Sequence, residues 1–125
     1  MVPQIKSIEI AEVPNLDPAG FRPPDPEDFR CTFGLLIGPG NQPGEEIFYL
    51  TVCSPSWLRK KLNETLFLWS RHHLIVPRYN LEAITAVISE FVENCSGEAW
   101  DDVARKLSRI ARWEFEDYEG PGGAP

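Results

Sequence analysis

Residues 29–53 read FRCTFGLLIGPGNQPGEEIFYLTVC. Two runs of β-forming residues, 29–37 and 47–53, lie on either side of a stretch holding Gly38, Pro39, Gly40, Pro43 and Gly44. Aromatic and β-branched runs bounded by Gly/Pro punctuation predict a β-hairpin with a long connection. Alternation within 47–53 places Ile47, Tyr49, Thr51 and Cys53 on one face and Phe48, Leu50 and Val52 on the other. Both faces are largely apolar, which suits a central strand covered on both sides, or one covered by helix and by the proline loop.

Working outward, Ser54-Pro55 opens a short helix over residues 55–62. Ser54 is suited to cap the free N–H groups and Pro55 to occupy the first helical position. Residues 73–76 (HLIV), closed by Pro77, predict a further strand. Upstream, Ile5, Ile8, Ile10 and Val13 form a loose apolar pattern that predicts a strand over 4–13. Between it and the hairpin, residues 14–28 hold five prolines together with Asp17, Asp25, Glu27 and Asp28. Proline removes backbone donors and fixes φ, so this segment is an acidic loop.

Downstream, Asn80 is placed to cap a helix whose apolar positions are Leu81, Ile84, Ile88, Phe91, Val92 and Cys95. Gly97 is placed to end it in a left-handed conformation. A final helix is predicted over 98–113, with Trp100, Val103, Ala104, Leu107, Ile110 and Ala111 as its stripe. Asp101–Arg105 and Asp102–Lys106 have the spacing of i,i+4 ion pairs, each worth about 0.2–0.5 kcal/mol. The element order is β-β-β-α-β-α-α. It predicts one α+β domain over residues 1–119, followed by a flexible GPGGAP tail over 120–125. Its sheet is mainly antiparallel, with about four strands and with two long C-terminal helices and one short helix packed on it.

The chain has 125 residues, 42% of them hydrophobic, and a formal net charge of −7, with a sequence pI near 4.8. That length suits one domain with its own core. The negative charge disfavours direct contact with nucleic acid or an anionic membrane, and a basic protein is the natural complement. The three cysteines, Cys31, Cys53 and Cys95, are odd in number and widely spaced, so they form no disulfide framework. No signal peptide and no membrane-spanning run is expected, and the cytoplasm is the expected compartment.

Candidate chemistry is sparse. His72 and His73 are adjacent, so on a strand they point to opposite faces and do not converge on one metal. A Cys–His nucleophile needs an electropositive, partly open setting, whereas these cysteines sit at apolar periodic positions. Adjacent carboxylates (Glu45-Glu46, Asp101-Asp102, Glu116-Asp117) read as solvated pairs. The basic cluster Arg59, Lys60, Lys61, between Trp57 and Trp69, reads as a solvated helix face. No catalytic residue, metal or cofactor is expected. The densest functional signal is the C-terminal stretch after Trp113, where Phe115 and Tyr118 interleave with acids. Burying the aromatics onto the sheet would leave carboxylates outward. Glu114, Glu116, Asp117, Tyr118 and Glu119 are therefore the expected partner-binding residues.

Four stretches carry a family resemblance: FRCTFGLLIGPG (29–40), GEEIFYLTVCSPSWL (44–58), HHLIVPRYNLEAI (72–84) and GEAWDDVARKLSRIARWEFEDY (97–118). Together they resemble the immunity protein 8 family of bacterial polymorphic-toxin systems. The resemblance implies an α+β immunity protein that binds and neutralises a cognate toxin by stoichiometric contact. The negative charge suggests a basic toxin, such as a nuclease. Two other classes compete with it: a self-assembling scaffold or interaction domain, and a small enzyme using a cysteine or carboxylate site.

Overall fold

The computed structural model describes residues 1–115. Among the described residues five strands and three α-helices form an α+β fold. Strand β1 (Pro3–Ile10), β2 (Arg30–Pro39) and β3 (Glu46–Cys53) pair antiparallel in that order. Helix α1 (Pro55–Thr65) then carries the chain to β4 (His73–Ile75), which pairs parallel with β3. A parallel neighbour needs such a crossover, which a tight hairpin cannot supply. Helices α2 (Leu81–Glu93) and α3 (Trp100–Leu107) follow, and β5 (Arg112–Trp113) returns antiparallel to β3.

The predicted hairpin forms, with Phe33 opposite Leu50 and Leu35 opposite Phe48. In the connection Gly44 takes φ +109°, and a Cβ on Gly38 would lie 1.9 Å from the Gly44 carbonyl oxygen. Neither position accepts a side chain without moving the backbone. Strand β1 explains its own loose pattern. The register shifts between Ile5 and Ser7, so Lys6 is an extra residue in a bulge. An extra residue restores the facing of the strand beyond it. Ile5, Ile8 and Ile10 thereby all reach the core, although their spacing is three and then two.

One face of the sheet is buried. Phe33, Leu35, Ile37, Phe48, Leu50 and Val52 pack against Ile84, Ile88 and Val92 of α2 and Val103, Ala104 and Leu107 of α3. The opposite face is not covered to the same degree: Ile47, Tyr49 and Thr51 stay half-exposed. The expectation of a strand buried on both sides is corrected here, because α2 and α3 occupy the same side. Ser54 caps α1 as expected. Its buried hydroxyl oxygen accepts from Trp57 N at 3.3 Å and from Phe29 N at 3.0 Å, tying the helix to the start of β2. The proline-rich loop is seated on the start of α2. Phe21 and Phe29 meet the Tyr79 ring edge-on, and Tyr79 N donates to Pro26 O at 2.7 Å.

The helix ends differ from expectation. Helix α2 stops at Glu93, and Gly97 has no positive φ; among the described residues Gly44 is the one glycine that does. Gly97 serves close approach instead, since a Cβ there would lie 2.8 Å from Asp102 Cβ. Helix α3 is shorter than the predicted 98–113 and stops at Leu107. The Ser108 hydroxyl donates to Ala104 O at 2.8 Å, and a tight turn then delivers Arg112 and Trp113 to the sheet. Sheet pairing wins over continued helical periodicity. The two i,i+4 ion pairs do not form. The Asp102 carboxylate accepts from Ala99 N, and Lys106 Nζ donates to Ser96 O.

Candidate binding surface

Strand β3 gives one edge to β2 along its whole length and shares the other between two short strands. Tyr49 and Phe48 pair with Arg112 and Trp113, while residues 51–53 pair with 73–75. Strands β5 and β4 therefore lie end to end along one margin of the sheet. At the β5 end, Trp113 stacks on Phe48 (6.3 Å, 13° between planes) and Trp100 meets the same ring edge-on at 6.5 Å. Phe115 meets Trp113 edge-on at 5.6 Å. The Glu46 carboxylate accepts from the indole N–H of both Trp100 and Trp113, the latter at 3.1 Å. Half-buried indoles are stabilised by such a partner. Glu46 is thus half-buried and structural, where the sequence had placed it in a solvated pair.

Glu114, the first of the expected partner-binding residues, sits exposed at this end, its backbone N donating to Ile47 O at 3.1 Å. Glu116, Asp117, Tyr118 and Glu119 lie outside the described residues. Arg112 turns to the half-open face of the sheet, its guanidinium 4.7 Å from the Tyr49 ring centroid.

The β4 end of the margin is reached through residues 66–72. Leu66 ends α1 in the left-handed region (φ 67°), and His72 precedes β4 in the same region (φ 62°). Between them Phe67 is 65% exposed and Trp69 82%, and Leu66 itself is 86% exposed. His72 Nε2 donates to Ser108 O at 2.9 Å, fixing the base of the loop to the end of α3. His73 Nδ1 donates to Arg71 O at 2.9 Å. Since carbonyl oxygens only accept, the bonded nitrogen of each ring is the one that donates.

The model of the immunity protein 8 family matches residues 3–118. The chain belongs to the immunity protein 8 family. It matches no curated protein and no solved structure.

Within this immunity-family fold the three cysteines are free and buried. Burial, reinforced by the charge of Glu12, pushes the Cys31 thiol up to about 12. Burial also raises Cys53 and Cys95, and Cys95 Sγ donates to Phe91 O at 3.3 Å. Thiols held away from ionisation are poor nucleophiles. Each histidine ring engages a backbone carbonyl through one of its nitrogens. Among the described residues no three His, Cys, Asp or Glu side chains converge as a metal site. No helix among them is long and apolar enough to cross a membrane.

The basic cluster on α1 is divided. Lys60 pairs with Asp28, and Lys61 lies 3.9 Å from Glu64. Trp57 is half-buried with the Arg30 guanidinium 5.8 Å from its ring centroid. The sequence reading passed over the margin built from Trp69, Phe67 and Ile75. The available signal was a run of large apolar residues, 66–69 (LFLW), with neither helical nor strand alternation.

Proposed function

We propose that this chain is a toxin-neutralising protein that binds one cognate polymorphic toxin, one to one, and holds it inactive. The family match across residues 3–118 carries this reading. The physical chemistry agrees with binding rather than turnover, since the thiols are buried and biased toward their neutral form. A net charge of −7 favours a basic partner, and a nuclease with a basic cleft fits that complement. Glu114, Glu116, Asp117, Tyr118 and Glu119 are proposed as the contacts that meet such a surface. Neutralisation would take place in the cytoplasm, where free thiols persist.

The test is co-expression with the toxin domain encoded beside this chain. Rescue of growth that is specific to that toxin is the expected outcome. Continued killing, in cells that hold the folded chain in excess, would overturn the reading. Reversing the charges of Glu114, Glu116, Asp117 and Glu119 together should slow association and weaken its salt dependence. An unchanged association rate would remove those residues from the interface.

A further inference from the structure

The loop over residues 66–72 turns three of its apolar side chains, Leu66, Phe67 and Trp69, to solvent. Leu66, Phe67 and Trp69 are 86%, 65% and 82% exposed, and Ile75 of the adjoining strand is 48% exposed. Single exposed hydrophobic residues are ordinary; a contiguous group on one margin is not. Leu66 and His72 hold left-handed backbone at both ends of the loop, a conformation disfavoured for a residue that carries a Cβ. The His72–Ser108 bond holds the loop base in place. Behind the loop, Leu58, Leu62, Leu68, Ser70, His73 and Ile75 line a hollow of about 110 Å³.

Charge identifies what this surface fits. On α1, Leu58 and Leu62 are one turn apart and form a stripe toward the hollow. Helical spacing puts Arg59 on one side of that stripe and Lys61, which also lies 3.9 Å from the exposed Glu64 carboxylate, on the other. Lys60 falls on the opposite side of the helix, where Asp28 holds it. An apolar projection flanked by cations, within an otherwise acidic protein, complements an apolar pocket rimmed by carboxylates. Such a pairing places a tryptophan at the centre and charges at the rim, the usual anatomy of an energetic interface.

We propose that Phe67 and Trp69 insert into an apolar, carboxylate-rimmed pocket on the cognate toxin, with Arg59 and Lys61 meeting the rim. The proposal rests on the toxin-neutralising reading above. It deepens that reading, because β4 and β5 share one margin and the loop lies on the same edge as Glu114. One partner can then touch acidic residues at the β5 end, apolar ones at the centre and cations at the α1 end.

The experiment measures binding of the full chain to the purified toxin domain encoded beside it, inactivated by substitution of its own active site. The proposal expects Phe67→Ala/Trp69→Ala to weaken affinity by about 100-fold or more, mainly through faster dissociation. Arg59→Glu/Lys61→Glu should weaken it about 10-fold, while Arg105→Glu, on α3, should leave it unchanged. Thermal melts of each variant should match the parent chain. Wild-type binding that survives Phe67→Ala/Trp69→Ala within threefold would overturn the loop assignment and leave the neutralising reading standing. Failure of the wild-type chain to bind would overturn both. A parent chain that elutes as a dimer and becomes monomeric in the double variant would overturn the toxin pocket in favour of a second copy of this chain.

Discussion

Two groups of aromatic residues occupy the same margin of the sheet, and their environments are opposite. At the β5 end, Trp100 and Trp113 rest on Phe48 and share one carboxylate, Glu46. At the β4 end, Phe67 and Trp69 project into solvent from a loop held in strained backbone at both ends. The first group is what folding makes of aromatics when a partner for each ring and each N–H lies within the chain. The second group has its apolar surface unsatisfied within the described residues. The contrast separates aromatic residues that hold this fold together from those it can offer outward.

The contrast is broken most severely at Phe48, which is fully buried beneath both indoles. Phe48→Ala is expected to cost about 3–5 kcal/mol, read as a lower urea midpoint with an unchanged slope. A loss under about 1 kcal/mol would mean that the cluster is not a stabilising centre. Next is the shared carboxylate. Glu46→Ala removes the acceptor of two indoles and is expected to cost about 1–2 kcal/mol, with Glu46→Gln costing less because an acceptor oxygen stays. Equal losses in the two variants would show that charge, rather than hydrogen-bond acceptance, holds the tryptophans.

A smaller effect concerns pH. Cys31 ionises near 12 in the folded chain, against 9.0 for a free thiol. Between those values the unfolded state binds fewer protons than the folded state, so stability falls as pH rises through that window. Below pH 9 this contribution is fully present. The melting temperature of the parent chain should drop between pH 9 and pH 11 more steeply than that of Cys31→Ala. Parallel slopes would show that Cys31 is not the group responsible. The smallest stability effect is expected at the exposed end, where Trp69→Ala should change stability by no more than about 0.5 kcal/mol. A larger loss would mean that Trp69 packs against the protein in solution, and the two groups would no longer differ in kind.

The sequence was most legible where one periodicity acts alone. The hairpin alternation, the Ser54 cap and the α2 stripe at Ile84, Ile88 and Val92 read directly into the structure. It was least legible where tertiary contacts choose between local options. Ile110 and Ala111 continue a helical stripe, yet β3 takes Arg112 and Trp113 as strand partners and the helix ends early. The bulge at Lys6 was hidden because an inserted residue looks like a broken pattern rather than a register shift. Of the candidate site, Glu114 was placed at an exposed position and four of its neighbours in sequence fall beyond residue 115. The apolar loop went unread because periodicity identifies buried apolar faces and is silent about apolar residues held outward.

The bulge at Lys6 also bears on how the molecule behaves at high concentration. Among the described residues strand β1 is the outermost strand on its side, and an open strand edge invites another chain to extend the sheet. An inserted residue interrupts the even ladder that such an extension needs, and it falls on a lysine whose Nζ bonds to Gln42 O across the hairpin connection. If the chain neutralises its target one to one, as proposed above, it has to be present in at least equal number to that target. An interrupted edge would then oppose strand-to-strand polymerisation at the concentrations that this stoichiometry demands.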